Sequence, residues 1–257
     1  MVRVLITGGS SGIGLALAKA YAQDGAQSGA HVYISGQSAE RLDAAKQELE
    51  VLGATVEAKL IDVRDENAMA MWLAEAFASG PLDLVVANAG VAGKTPQATS
   101  SYKQQLDRVM SVNVQGVFNT VLPAIDLMET AGGGQIAIVS SLAGFRGLPT
   151  TAAYSASKAA VKSWGEALRP QLAKSNIRLS VICPGFVRSR ITDENKFPMP
   201  FFMEADKAAN LIKRKLARNV GRIAFPFPMY MGTWFLSVVP DWLGNLMTSA
   251  GAKRVNK

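Results

Sequence analysis

The sequence predicts an α/β fold: a doubly wound parallel sheet of about seven strands with helices on both faces. Short apolar runs alternate with longer amphipathic segments from the first residue to about residue 183, a pattern typical of parallel sheets covered on both sides. No internal repeat, low-complexity tract or Pro/Gly/Ser-rich linker interrupts the 257 residues. We therefore expect a single domain over residues 1–257, in which residues 185–257 form a substrate loop and a hydrophobic, basic C-terminal extension of the same domain.

The strands are predicted from short runs of Val, Ile, Leu, Tyr and Ala that are bounded by Gly, Asn, Asp or Ser. The run VRVLIT opens the chain, and runs such as HVYIS, LDLVVA and IRLSVIC follow it at regular intervals. The predicted strands are 2–7, 31–35, 56–61, 82–87, 135–140 and 177–183, with 222–226 as a seventh candidate.

The helices are predicted where Ala, Leu, Glu, Lys and Arg recur at helical spacing. The segment 204–219 adds an amphipathic helix with apolar residues on one stripe and basic residues on another face. The other predicted helices are 13–24, 39–52, 65–79, 102–130 and 154–174.

The composition excludes several classes of protein. Apolar residues make up 49% of the chain and charged residues 18%, which does not fit an intrinsically disordered chain. Because the chain has one cysteine, Cys183, and one histidine, His31, we expect no internal disulfide, no metal site and no Cys/His nucleophile. The apolar run after Met1 belongs to the first strand and leaves no room for a signal peptide, so we expect a cytoplasmic protein.

The net charge of +7 is concentrated near the C-terminus. Residues 1–200 hold 18 basic and 17 acidic side chains, a balance of +1, whereas residues 201–257 hold 9 and 3, a balance of +6. The basic cluster carries no recognised nucleic-acid-binding motif, so we expect no nucleic-acid partner.

The segment after residue 183, PGFVRSRITDENKFPMPFF, contains three prolines and no clear periodicity. Such a loop would lie beyond the carboxyl ends of the strands, where open α/β sheets bind ligands. We favour a mobile cover over a site, with an irregular surface loop as the alternative.

A glycine-rich turn, TGGSSGIG at 7–14, stands between the first strand and the first helix. Its glycines allow phosphates to approach the backbone, and the helix N-terminus offers free N–H groups and partial positive charge. Alone such a turn is weak evidence, but its position between strand and helix favours a pyrophosphate site. It lacks the Gly-Lys-Ser/Thr of a Walker A loop, which disfavours ATP chemistry.

Tyr154 and Lys158 stand four residues apart in a predicted helix, so they share one face. A phenol becomes an effective acid–base group near neutral pH when a cation favours its phenolate form, and Lys158 can supply that cation. A buried tyrosine beside a surface lysine is the alternative for an isolated motif of this length. Ser141 follows the fifth strand at the edge where a site is expected, and its hydroxyl can donate to a substrate oxygen.

Taken together, these motifs resemble the classical short-chain dehydrogenase/reductase family. The resemblance covers residues 2–190 and is carried by TGGSSGIG, Asp62-Val63, Asn88-Ala89-Gly90, Asn113, Ser141, Tyr154-x3-Lys158 and Pro184-Gly185. It implies a Rossmann fold, an NAD(P)-dependent oxidoreductase acting on carbonyl and secondary alcohol groups, and a homodimer or homotetramer built through the helices at 102–130 and 154–174.

The resemblance also implies residue roles. It selects Ser141 over its neighbour Ser140, and it adds Asn113, which would hold a water linking Lys158 to solvent, with a helix-capping asparagine as the alternative. The implied catalytic set is Asn113, Ser141, Tyr154 and Lys158. The implied cofactor residues are Gly8, Ser10, Ser11, Gly12, Ile13 and Gly14 at the pyrophosphate, Gln37 at the end of the second strand, Asp62 and Val63 at the adenine, Asn88, Ala89 and Gly90 at the ribose, Tyr154 and Lys158, and Pro184, Gly185, Val187 and Ser189 around the nicotinamide. Ser189 stands where family members usually carry Thr.

The cofactor choice depends on the end of the second strand. NAD-preferring proteins place an acid there to bind the ribose 2′-hydroxyl, whereas a nearby Arg suits the 2′-phosphate. Here the positions are Gly36 and Gln37, and Arg41 is close in sequence. Because no acid would repel a phosphate, we favour NADP(H) over NAD(H).

The segment 223–240 contains eighteen residues without a charge. A spanning helix needs about 20 apolar residues, and three prolines interrupt this run, so we exclude a transmembrane helix. A hydrophobic substrate wall, a peripheral membrane contact and an oligomer contact remain as interpretations. We expect an apolar or lipid-like substrate such as a long-chain keto compound; within the family, a ketosphinganine-type reductase is the first comparison. A catalytically silent dinucleotide-binding sensor or scaffold on the same fold is the alternative function.

Overall fold

A computed structural model describes residues 1–92, 101–193 and 199–255, and of residues 24–28 and 249–255 it describes the backbone alone. Seven strands form one sheet in which all neighbours run parallel, in the spatial order 3-2-1-4-5-6-7. The strands are β1 (Val2–Ile6), β2 (Ala30–Gly36), β3 (Thr55–Leu60), β4 (Leu84–Ala87), β5 (Gly134–Val139), β6 (Ile177–Pro184) and β7 (Arg222–Phe225). The predicted doubly wound parallel sheet, with its seventh strand, is confirmed.

The strand order places a topological switch point between β1 and β4. In register, Val4 pairs with Val32 of β2 on one side and with Leu84 of β4 on the other. From β1 the chain runs outward to β3, then returns and builds outward again to β7. The loops at the carboxyl ends of β1 and β4 therefore separate and open a crevice, where this class of sheet binds ligands.

Helices cover both faces of the sheet and bury two apolar cores. The helices are α1 (Gly12–Ser28), α2 (Ala39–Val51), α3 (Glu66–Ala78), α4 (Tyr102–Met110), α5 (Gly116–Ala131), α6 (Ala152–Leu172), α7 (Arg190–Asp193), α8 (Ala205–Ala217), α9 (Phe227–Val238) and α10 (Asp241–Val255). Residues of α1, α2 and α8 share one core, and residues of α3, α5 and α6 share the other.

Side-chain caps fix where two helices start after their strands. The Ser38 hydroxyl accepts a hydrogen bond from the backbone N–H of Arg41 at the start of α2, and the Asp65 carboxylate accepts one from Ala68 at the start of α3. Such caps satisfy N–H groups that the first helical turn leaves unpaired. The loops after β2 and β3 are thereby kept short at the carboxyl edge.

The structure differs from the predicted helices in two places. The first helix continues through Ser28, so most of the connection expected after residue 24 is helical. The segment predicted as one helix over 102–130 is two helices joined by a π-helical turn, Ser111–Gln115. Such turns insert one residue into the helical register and often occur at functional sites.

The uncharged segment 223–240 contains a strand end and a 12-residue helix, α9, which was not predicted. Pro226 precedes this helix and Pro228 occupies its first turn, where no backbone N–H is needed. Pro240 lies just beyond its end. The prolines therefore delimit a helix. Across the described ranges, no helix combines the length and apolar character that spanning a bilayer requires.

Candidate active site

A cleft of about 330 Å³ lies at the carboxyl edge of the sheet, at the switch point. Residues that follow β1, β2, β3, β4, β5 and β6 all line it, together with residues of α4, α6 and the loop after β6. All but three of the predicted site residues lie on its walls: Gly8, Ser10, Ser11, Gly12, Ile13, Gln37, Val63, Asn88, Ala89, Gly90, Ser141, Tyr154, Lys158, Pro184, Gly185, Val187 and Ser189.

The glycine-rich turn lines the cleft with bare backbone, because its glycines carry no side chains that could fill the space. Gly8 and Gly12 have φ angles of +65° and +53°, which L-residues rarely adopt. A Cβ atom at Gly14 would lie 2.4 Å from the carbonyl oxygen of Gly8, so Gly14 provides close packing beneath the turn and is not itself on the wall. The N-terminus of α1 therefore lies at the cleft with its first N–H groups close to any bound anion.

Thr7, for which the motifs predicted no separate role, ties this turn to the loop after β4. Its Oγ1 accepts hydrogen bonds from the backbone N–H groups of Asn88 and Ala89 at 3.0 and 3.2 Å. The side-chain amide of Asn88 donates in return to the carbonyls of Thr7 and Gly8 at 2.9 and 3.1 Å. The two loops that flank the switch point are thus held at a fixed separation.

The walls of the cleft fit a polyanionic dinucleotide. The basic residues among the described residues that line it are Arg41, Arg108, Lys158 and Arg190, and none of these lining residues is Asp or Glu. Glycines with no room for a side chain stand at the turn where a pyrophosphate would approach. Positive groups, helix N–H groups and bare backbone together are the components of a nucleotide site.

The predicted adenosine-side residues Gln37 and Asp62 are placed differently. Gln37 lines the cleft, as does Arg41 in the first turn of α2. Asp62 lies off the wall, and its carboxylate accepts hydrogen bonds from the backbone and guanidinium of Arg64 at 2.5–3.0 Å. These bonds hold the pKa of Asp62 below its usual range. Asp62 is therefore an ionised, paired group next to the wall residue Val63.

Tyr154, Lys158 and Ser141 share one part of the cleft wall. The Nζ atom of Lys158 lies 5.8 Å from the centre of the Tyr154 ring, and the Ser141 side chain is near enough to the phenol to lower its pKa. Ser141 follows β5 directly and also caps the 3₁₀ turn Leu142–Gly144, where its Oγ accepts from the backbone N–H of Ala143 at 3.1 Å. The three side chains thus meet from β5 and α6 at the edge where the sheet ends.

Burial sets the protonation behaviour of this group. Lys158 is 3% exposed, and its Nζ donates to the carbonyl of Val139 at 2.9 Å. Burial lowers the pKa of Lys158 to about 8, because a charged amine is costly away from water. Burial also raises the pKa of Tyr154, while the nearby Ser141 side chain acts in the opposite direction. The tyrosine is therefore a phenol at neutral pH, with an ammonium group beside it.

Asn113 is fully buried in the π-helical turn and does not line the cleft. Its side-chain oxygen accepts from the N–H of Val91 at 2.8 Å, and its amide donates to the Val91 carbonyl and to the Ser157 hydroxyl at 3.0 and 3.1 Å. A Cβ atom at Gly90 would lie 3.2 Å from this oxygen and 3.4 Å from Lys158 Nζ. Asn113 therefore joins the loop after β4 to α6 immediately beside Lys158.

Ser140, the neighbour and rival of Ser141, turns its hydroxyl to the protein. Its Oγ donates a 2.7 Å hydrogen bond to the backbone carbonyl of Lys158, and it is 1% exposed. The bond could not be predicted from the sequence, because it joins residues that are brought together by the packing of α6 on β5.

The loop after β6 contributes to the cleft through Ser189 and through α7, whose residues 190–192 line it. Two features fix its base: backbone hydrogen bonds pair Arg188 and Phe186 with Met203, and the Arg188 guanidinium binds Glu204 at 2.7 and 3.1 Å. The centre of the predicted cover, 194–198, lies outside the described residues.

Helix α9 and the loop after Ser141 close the side of the site near β7. A Cβ atom at Gly185 would lie 2.7 Å from Met229 Sδ and 3.0 Å from Pro226 Cδ, so the first turn of α9 packs directly on a residue of the cleft. Tyr230 meets Phe145 edge to face with ring centres 5.6 Å apart. The C-terminal segment is therefore part of the surroundings of the site.

Comparison with known proteins agrees with this geometry. The family model for short chain dehydrogenases matches residues 2–198. An uncharacterized oxidoreductase of Myxococcus xanthus is 37% identical over 98% of this chain and 96% of its own length. A 3-dehydrosphinganine reductase of Arabidopsis thaliana is 37% identical over 70% of this chain and 54% of its own length.

The fold is also that of a solved ketoreductase. A point variant of actinorhodin polyketide ketoreductase, crystallised with NADPH, aligns with a TM-score of 0.78 over 89% of this chain and 97% of its own, at 24% identity. The protein belongs to the classical short-chain dehydrogenase/reductase family, and it is an NAD(P)-dependent oxidoreductase of carbonyl and alcohol groups.

Proposed function

We propose that the protein reduces an apolar, lipid-like ketone with NADPH, using Tyr154 as the proton donor. The observation that carries the proposal is the meeting of Tyr154 with Ser141 and with the buried ammonium of Lys158 at one end of the cleft. In the reverse direction the same tyrosine accepts a proton from an alcohol.

The proposed chemistry divides between cofactor and protein. When bound, the nicotinamide supplies or accepts the hydride. Tyr154 gives its phenolic proton to the substrate oxygen, and the charge of Lys158 favours the phenolate that remains. Ser141 donates a hydrogen bond to the same oxygen as negative charge develops on it. Asn113 positions α6 and the loop after β4, so that Lys158 stays beside the tyrosine.

A preference for NADP(H) is supported by the adenosine end of the cleft. Arg41 lines it, no carboxylate does, and Asp62 is already paired with Arg64. A 2′-phosphate would therefore meet a cation and no opposing charge. Gln37→Asp should lower kcat/KM with NADPH by about ten- to hundred-fold and favour NADH, because the new carboxylate repels the phosphate. An unchanged ratio between the two cofactors would contradict the preference.

The preference for an apolar substrate is supported by the side of the site near β7. Met229 and Pro226 of the α9 region pack on Gly185, and Phe145 and Tyr230 form an aromatic pair nearby. By its name, the plant relative reduces 3-dehydrosphinganine, a long-chain ketone. We infer that the segment 185–257 contains the substrate side of this protein, at Gly185 and the first turn of α9, and that a long-chain keto compound is its substrate class.

The deciding experiment assays the purified protein with NADPH and NADH against ketones of increasing chain length, in parallel with Tyr154→Phe. The variant should lose about 10²- to 10⁴-fold in kcat and retain cofactor binding. Tyr102→Phe, at a tyrosine that is 93% exposed on α4, is the matched control and should behave as wild type. A wild-type protein that binds the dinucleotide yet turns over no ketone or alcohol would instead favour a sensor or scaffold.

We also propose a homo-oligomer assembled through the outer faces of α4, α5 and α6. Leu106 and Leu122 support it, because these apolar side chains are 44% and 51% exposed on α4 and α5. Leu122→Glu should then shift the mass measured by light scattering toward the monomer; an unchanged mass would exclude this face.

A further inference from the structure

Helix α9 has one face on the protein and the opposite face in solvent. The exposed side chains Phe227, Met231, Trp234, Phe235 and Val238 follow one another at helical spacing and form a stripe about 100° wide. No residue of α9 is charged and none is fully buried. A water-facing stripe of this composition is unfavourable in solution and marks an interaction surface.

Helix α10 extends the same kind of surface. Trp242 and Leu246 stand four residues apart and are 71% and 64% exposed, and Met247 beside them is 46% exposed. We name the exposed apolar side chains of the two helices the α9–α10 face. It consists of Phe227, Met231, Trp234, Phe235, Val238, Trp242, Leu246 and Met247.

Arg146 fixes this face relative to the site. Its guanidinium contacts the carbonyl of Leu236 near the end of α9, and in α10 it binds the Asp241 carboxylate at 3.1 Å and the Asn245 side chain at 3.2 Å. Arg146 stands five residues after Ser141, in the loop that leaves the catalytic edge. The α9–α10 face therefore has a set position next to the cleft.

Charge and composition indicate the occupant of this face. Tryptophan is typical of the boundary between lipid and water, and an uncharged apolar stripe with nearby basic residues is the pattern of helices that lie in a membrane surface. After Val238 the sequence holds one acid, Asp241, against Lys253, Arg254 and Lys257, a balance of +2, and Asp241 is already paired with Arg146. Such a charge is attracted to anionic headgroups.

We propose that the α9–α10 face docks on an anionic membrane surface and presents the cleft to a ketone dissolved in the lipid. The first turn of α9 packs on Gly185 of the cleft while its other face would enter the headgroup region. The docking itself rests on this exposed face, and the delivery of substrate from the lipid rests on the proposed function.

The test is flotation of the purified full chain with vesicles of phosphatidylcholine alone and with about 30% phosphatidylglycerol. The protein should float with the anionic vesicles, and added salt should weaken the binding. The double variant Trp234→Ser/Trp242→Ser should lower the bound fraction about ten-fold. Val51→Ser/Met71→Ser is the matched control, since these side chains are 87% and 60% exposed on α2 and α3, near the other edge of the sheet, and it should float as wild type.

Activity separates the docking from the reaction. Both double variants should reduce a short soluble ketone at the wild-type rate, whereas Trp234→Ser/Trp242→Ser should lose activity on a long-chain ketone carried in vesicles. A wild-type chain that does not float, or tryptophan variants that float equally well, would overturn the docking while leaving soluble reductase activity intact. If the wild-type chain does not float but associates with itself, and Trp234→Ser/Trp242→Ser abolishes that association, the face binds a second copy of the chain and the membrane docking is overturned. A wild-type chain that floats but turns over no ketone would support the docking and contradict the proposed function.

Discussion

The Ser140 hydroxyl donates a 2.7 Å hydrogen bond to the backbone carbonyl of Lys158, while the next residue, Ser141, lines the cleft together with the Tyr154 side chain. Two adjacent serines that follow β5 thus have different surroundings. One holds the backbone of α6, and the other faces the group proposed to carry the reaction.

The two serines should respond differently to removal of their hydroxyls. Ser140→Ala loses one buried hydrogen bond, so its free energy of unfolding should fall by about 1 kcal/mol and its Tm by about 2–4 °C, with little change in kcat. Ser141→Ala should lower kcat by about 10²- to 10³-fold, and because its hydroxyl also caps the turn Leu142–Gly144, its Tm should fall by a similar few degrees. Thermal unfolding and steady-state kinetics on both variants measure the difference; equal losses of kcat would contradict the division of roles.

The buried amine of Lys158 should make stability depend on pH. Its folded-state pKa of about 8 lies below the ordinary value for lysine, so between these values the unfolded chain binds more protons. Stability therefore rises with pH in that window, and the cost of the buried charge is fully present below pH 8.

Lys158→Met removes this cost together with the proposed activity. Without cofactor, the variant should be more stable than wild type at pH 7 by up to about 3 kcal/mol, and the gap should narrow as the pH rises toward 10. The quantity to compare is the difference in unfolding free energy between the variant and wild type. Burial raises the pKa of Cys183 to about 12, so this thiol makes both proteins less stable as the pH rises, and the difference removes its contribution. Denaturant unfolding at several pH values provides it, and a gap that widens with pH would be inconsistent with a depressed pKa.

Two glycine substitutions should have opposite effects. Gly14→Ala places a methyl group 2.4 Å from the Gly8 carbonyl oxygen, so it should cost about 1–3 kcal/mol of stability and weaken dinucleotide binding. Gly232→Ala, in α9, meets nothing within 4 Å and should stabilise the protein by about 0.5–1 kcal/mol. Thermal unfolding and cofactor titration distinguish the two, and a tolerated alanine at 14 would mean that the turn packs less closely than described.

Arg146 should affect long substrates more than short ones. Arg146→Met removes the contacts to Leu236, Asp241 and Asn245, so α9 and α10 lose their attachment to the loop after Ser141. We expect KM for a long-chain ketone to rise about ten-fold, with kcat for a short ketone changed little. The control is Lys59→Met on β3, which removes an exposed ion pair with Glu75 of α3. An equal effect of Arg146→Met on short and long ketones would contradict this positioning role.

The central strands were predictable because they are buried on both faces and form apolar runs, as in LVVA of β4, where every residue is buried. The turn at Gly8 to Gly14 and the pair Tyr154 and Lys158 were predictable because each is local in sequence. The π-helical turn around Asn113 was not, since its residues continue the helical spacing on both sides.

Contacts between distant residues left no signal in the sequence. Arg146 meets Asn245 across 99 positions, and Thr7 meets Asn88 across 81. Helix α9 escapes prediction for a different reason: prolines within an apolar segment indicate interruptions of a helix, whereas here they bracket one. Position relative to a helix boundary, which only the folded chain reveals, determines the effect of a proline.

The buried thiol of Cys183 can report local opening of the sheet around β6 through its reaction with a thiol reagent. It is the single thiol of the chain, has no exposed surface, and stands beside Pro184 and Gly185 of the cleft. A thiol reagent can reach it when β6 parts from its neighbours, and a raised pKa slows its reaction further. The labelling rate would therefore report how often β6 separates from its neighbours, with no engineered cysteine needed. A ligand that closes the cleft should slow the labelling.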